Sequence, residues 1–221
     1  MSPYLTPLLL TLKVAFWATL ASATFGIALA RWMHRHPRWG ADWLDALLTL
    51  PMVLPPTVLG YYLIVLMGRR GALGSWLDEH LGVNLIFTWQ GAVLAAAVTA
   101  LPPVLKSARA AFESVDTRLE QAARTLGASP WSIFWRISLP LAWRGIMAGV
   151  MLAFARAMGE FGATLMVAGN LPGRTQTLST AIYSAVQAGQ DRHAHLLVAT
   201  ASIVCFIILY ATGRLSKAQR T

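Results

Sequence analysis

Five apolar stretches dominate the sequence: Leu8–Ala30, Leu44–Met67, Ile86–Leu105, Gly145–Ala168 and Leu196–Thr212. The hydrocarbon core of a bilayer, roughly 30 Å thick, takes about 20 helical residues to cross, and each stretch reaches or approaches that length. Charged residues make up only 12% of the 221, against about 25% in a soluble domain, so a water-facing surface is hard to build. The chain therefore reads as one all-α integral membrane domain over residues 1–221, with about five spans. The first basic residue, Lys13, already lies inside the first stretch, and no small-residue cleavage site follows. That stretch reads as a retained span rather than a signal peptide. The single cysteine, Cys205, excludes an intrachain disulfide and, inside an apolar run, is expected to be a buried, inert thiol.

The net charge of +9 would point to nucleic acid in a soluble protein, but its distribution points elsewhere. The 31–43 and 106–144 connections and the C-terminal tail together hold 12 of the 18 basic residues. The opposite side holds 4, namely Arg69, Arg70, Arg174 and Arg192, while Lys13 and Arg156 fall within spans. Cytoplasmic loops are the ones enriched in Lys and Arg. The expected topology has the N-terminus outside, the C-terminus in the cytoplasm and no nucleic-acid partner.

Within the spans, Pro51, Pro55 and Pro56 should kink or open the second helix, because proline removes a donor and clashes with the preceding turn. These prolines either line a pathway or serve packing alone. Gly145 and Gly149, with Gly159 and Gly162 further on, permit close helix approach. Arg156 and Glu160 stand four residues apart, on one helix face, as a charged pair inside a span. They are candidates for a gate or pathway element, or for a mutually neutralising pair that fixes packing. No G-x-x-x-x-G-K-[ST] loop is present, and the histidine pairs His34/His36 and His193/His195, read as lying in short loops, supply too few ligands for a metal.

The densest signal lies at 116–140, D-T-R-L-E-Q-A-A-R-T-L-G-A-S-P-W-S-I-F-W-R-I-S-L-P. It predicts two short helices with a sharp joint. Thr117 and Glu120 have capping-box spacing. Leu119, Ala122, Ala123 and Leu126 form one apolar face. Gly127 fits the left-handed position that ends the first helix. Ser129 then caps a second helix, Pro130 opens it, and Leu139-Pro140 closes it before the next span. By itself this grammar also describes an amphipathic hairpin resting on a membrane surface.

Gln121-Ala122-Ala123, three residues, Gly127, nine residues, then Ile137, Leu139 and Pro140 resembles the EAA loop of ABC importer permeases. The departure from that pattern is Gln121, which stands where the family has Glu, with Glu120 one place earlier. Leu119 to Ala128 and Ala153 to Thr164 look like the molybdate permease versions of these segments. Similar too are Leu50-Pro51 with Leu54-Pro55-Pro56, Met67-Gly-Arg-Arg-Gly71 and Trp89 to Ala97.

The resemblance implies a type I ABC importer permease (MetI-like) fold in the inner membrane, with the loop cytoplasmic and docked on a separate ATP-hydrolysing subunit. ATP and magnesium would be bound by that subunit and no cofactor by this chain. A periplasmic oxyanion-binding protein would deliver molybdate or tungstate to a homodimeric pore working by alternating access, and the chain itself would catalyse nothing. Sulfate and thiosulfate permeases share the architecture. A membrane enzyme or sensor without an ATPase partner is the reading from a different class.

Overall fold

The computed structural model describes residues 4–36 and 41–218, and every regular element among them is helical. Three long helices form the centre: α1 (Leu5–Arg35), α5 (Trp89–Glu113) and α8 (Leu139–Met158). Their contact faces are lined by Ala15, Ala18, Ala92, Ala96, Ala100, Ala153 and Ala157, all buried. This is the packing expected where the solvent is hydrocarbon. Burying a leucine gains nothing against lipid tails, so small residues that bring backbones close supply the cohesion. Gly145 and Gly149 serve this purpose within the chain: a Cβ on Gly145 would come within 2.7 Å of Ala111 Cβ, and one on Gly149 would collide with Ser107. The small-residue pair seats α8 on α5.

Helices α1, α5, the run Pro130–Met158 and α11 (Asp191–Ala218) are long and apolar enough to cross a bilayer. Two further pieces, α2 (Ala41–Val53) and α3 (Pro56–Met67), meet at a bend of 114° and are together apolar enough for a fifth crossing if they form one broken span. The break falls at Leu54–Pro55, where Pro55 is extended at φ −53°, ψ 137°, the conformation that a following proline imposes. Pro51 sits inside α2 without breaking it.

The structure corrects four sequence expectations. The fourth span is not one helix over Gly145–Ala168. It starts further back and ends at Met158, and Gly162–Ala168 forms a separate short helix, α9. The second short helix is not closed by Leu139-Pro140, since α7 (Pro130–Ile133) runs through a π-helical turn, Phe134–Ser138, directly into α8. Pro140 lacks an N–H, and a widened turn just before it lets the helix continue past the missing donor. His34, His193 and His195 are helical rather than in loops, because α1 and α11 extend beyond their apolar stretches. Cys205 is exposed on the face of α11 turned away from the bundle.

The end of the molecule remote from 116–140 carries α4 (Ala72–Leu81), α9 and α10 (Leu178–Gln187). Leu59 and Leu63 of α3 pack there on Ala163 and Val167 of α9. The Leu178 N–H donates to Thr11 Oγ1 at 2.8 Å, tying the start of α10 to α1.

Candidate coupling surface and pathway residues

Helix α6 (Thr117–Thr125) is capped by Asp116, whose carboxylate accepts the Arg118 N–H at 2.9 Å. The capping box expected of Thr117 and Glu120 is not formed, because Glu120 is turned inward to other partners. At the far end the Ala128 N–H donates to Ala123 O and the Gly127 N–H to Arg124 O, both at 3.0 Å. That is a Schellman closure, and Gly127 holds φ +80°, as it requires. Ser129 then caps α7, its hydroxyl accepting the Ser132 N–H at 3.2 Å, with Pro130 at the first helical position.

The joint leaves a continuous apolar and aromatic face without cover. Leu126 is 87% exposed, Trp131 70% and Leu119 48%. Gln121 and Ala122 are exposed and Ala123 half-buried. Ile137 and Leu139 are half-buried against the bundle, and Pro140 is exposed. The face drawn from Leu119, Ala122, Ala123 and Leu126 is thus turned outward, and α6 presents a buried carboxylate to its own bundle. Glu120 accepts the Ser138 hydroxyl at 2.6 Å and lies 3.0 Å from Arg31 Nη1. Burial alone would push this carboxyl up. The Ser138 hydrogen bond and the Arg31 guanidinium outweigh it and hold it below the ordinary glutamate value.

The pathway candidates gather around the two helix breaks. Gly162 lies against Pro56, where a Cβ would come within 2.5 Å of the proline ring, so the start of α9 abuts the start of α3. Gly159 ends α8, and Glu160 follows it outside the helix. Arg156 still reaches Glu160, at 2.6 Å. The second Glu160 oxygen accepts the Ala163 N–H at 3.0 Å, holding the first turn of α9. Glu160 is buried and Arg156 is partly exposed. Pro51 is half-buried, one turn before the bend, and Pro55 and Pro56 are exposed at it. Among the described residues no three His, Cys, Asp or Glu side chains gather as metal ligands would.

Residues 22–217 match the model of the family described as the binding-protein-dependent transport system inner membrane component. The chain belongs to that family. It is 46% identical over 203 residues to the molybdenum transport system permease protein ModB of Escherichia coli (strain K12), covering 91% of this chain and 89% of the relative. It is 36% identical to the sulfate transport system permease protein CysT of the same organism, covering 80% of this chain and 64% of that one. Among solved structures, the inward-facing MetNI methionine ABC transporter superposes with a TM-score of 0.75 at 18% identity, covering 99% of both chains. The expected fold and the reading as a multi-pass inner-membrane permease are therefore correct, and the chain is a transport component rather than an enzyme.

In this permease, sequence reasoning missed Arg31, Ser138 and Asp45. Arg31, which the sequence places at the start of the 31–43 connection, lies buried in the last turns of α1. Asp45 on α2 is paired with both Lys106 and Arg109 of α5. No local spacing links these residues, since the Arg31 and Glu120 partners are 89 positions apart and meet only in the folded chain. Their one signal in the sequence is a charge or hydroxyl adjoining an apolar run.

Proposed function

We propose that the chain forms half of the membrane pathway of an ABC importer that takes up molybdate. A homodimer would work with a separate ATPase subunit, which holds ATP and magnesium, and with a periplasmic binding protein. The observation that carries the coupling role is the outward face of α6 and α7. A rigid Schellman joint aims Leu119, Leu126 and Trp131 away from the permease. Exposed apolar and aromatic residues on a fixed, capped scaffold are what a partner cleft needs for docking without an ordering cost. The greater identity to a molybdenum permease than to a sulfate permease favours molybdate as substrate. In this reading Arg156 would face the pathway, and its pairing with Glu160 would keep it from trapping an oxyanion. The loop, Arg31, Lys106 and the C-terminus lie on the cytoplasmic side in this reading, and the N-terminus lies outside.

The deciding experiment is reconstitution in proteoliposomes with candidate ATPase and binding proteins, comparing uptake of labelled molybdate and sulfate. Molybdate uptake that requires ATP and the molybdate-binding protein is expected. Transport of sulfate in preference would move the chain to the sulfate branch, and failure to bind any ATPase subunit would end the importer reading.

A further inference from the structure

Resting on that reading, we propose that Arg31, Glu120 and Ser138 form the point at which motion of the docking helix is passed into the spans. Glu120 is the inward anchor of α6, and its partners belong to two different crossings. Arg31 stands in the last turns of α1 and lies 3.0 Å away by Nη1. Ser138 is the last residue of the π-helical turn and donates to Glu120 Oε1 at 2.6 Å. All three are buried, Ser138 completely. None of the three Arg31 guanidinium nitrogens makes a hydrogen bond among the described residues, so Nη1 meets Glu120 as an ion pair. The rings of Phe112 and Phe134 flank the group instead, with centroids 5.6 and 5.7 Å from Cζ. An arginine so placed gains attraction from the ring faces but cannot exchange its carboxylate for water.

This arrangement suits transmission better than general cohesion. The outer face of α6 is left for a partner, so its hold on the bundle rests on this polar contact rather than on a hydrophobic seam. A buried ion pair resists separation because parting strands both charges in a low-dielectric site. A displacement of α6 is therefore passed on to α1 and to the base of α8 rather than absorbed by slippage. Arg31 and Ser138 act here as positioning residues and touch neither substrate nor nucleotide.

The test measures molecules of substrate imported per ATP hydrolysed by the reconstituted complex, with membrane abundance and co-purifying ATPase as separate readouts. Arg31→Met should still assemble with the ATPase subunit, while import per ATP falls by roughly tenfold, the scale expected for losing a charge-assisted contact. Arg31→Met combined with Glu120→Gln should fall no further than Arg31→Met alone, because both changes remove the same interaction. Should Arg31→Met fail to accumulate, Ser138→Ala, which keeps both charges, takes its place and should lower the same ratio. Import per ATP at the unmodified level in assembled variants, or losses that simply add in the double variant, would overturn the proposal. If the unmodified chain neither binds an ATPase subunit nor transports, the importer reading itself fails, and the two failures are thereby told apart.

Discussion

At the scale of single residues, backbone conformation and charge pairing make separate predictions. Gly127 holds φ +80° with open space where a Cβ would stand. Gly127→Val therefore meets no clash, only the cost of a left-handed β-branched residue, about 1–2 kcal/mol. The variant should reach the membrane in normal amount and lose co-purifying ATPase; normal uptake with a normally bound ATPase would contradict the docking role. For Arg156 and Glu160 the asymmetry of burial sets the order of damage. Arg156→Met leaves a buried carboxylate without its cation and should be the more damaging of the two changes. Glu160→Gln leaves a cation that can turn to water and keeps an acceptor for the Ala163 N–H, so it should be mild. The double variant should recover most of the stability lost by Arg156→Met, read as thermal unfolding in detergent; simple addition of the two losses would rule out pairing. Glu120 predicts a pH response. Its carboxyl is held below its ordinary value in the folded chain, so its contribution is present above the usual glutamate range. That contribution is lost as the pH falls through the lowered value. Glu120→Gln should flatten the acid limb of the stability curve, and an unchanged limb would contradict the assignment.

At the scale of elements, proline pairs show what a sequence can and cannot settle. Pro55-Pro56 and Pro102-Pro103 obey the same steric rule, yet the first bends its span by 114° and the second stays inside α5. The difference is burial, since α5 is clasped by α1 and α8, and that packing holds it helical against local preference. At the α2–α3 bend Pro55 and Pro56 are exposed, and Gly162 of α9 abuts Pro56 on one side. Replacing Pro55 and Pro56 with alanine should straighten it, and spin labels on α2 and α3 should then move apart. Uptake should fall while membrane abundance is kept. An unchanged label distance would mean that packing against Gly162, not proline, makes the bend. The local grammar of 116–130 was legible because caps, Gly127 and Pro130 act on near neighbours. The Thr117–Glu120 pairing was misread for the complementary reason: a tertiary partner took the carboxylate. The start of the fourth span differs because a π turn carries the helix past Pro140, and its end because Gly159 closes α8 before α9 begins.

At the scale of the whole molecule, four crossings were placed nearly correctly from apolar length alone, and the inner-membrane assignment follows from the family. Orientation is tested directly by labelling. With Cys205 replaced by alanine, Leu126→Cys should react with a membrane-impermeant thiol reagent only from the cytoplasmic face, and Arg174→Cys only from outside. The opposite pattern would invert the topology and remove the docking face from reach of ATP. The helical run from Pro130 to Met158 is continuous, its π turn included. Its 29 residues make a shaft about 43 Å long at 1.5 Å per residue, with its foot in the docking face and its tip at the Arg156–Glu160 pair. Seated at Gly145 and Gly149 on α5 as on a fulcrum, it converts a tilt of roughly 10° into about 7 Å of travel between its two ends. In the proposed importer the foot and the tip would swing in opposite directions, so the two ends of the proposed pathway would not widen in the same stroke.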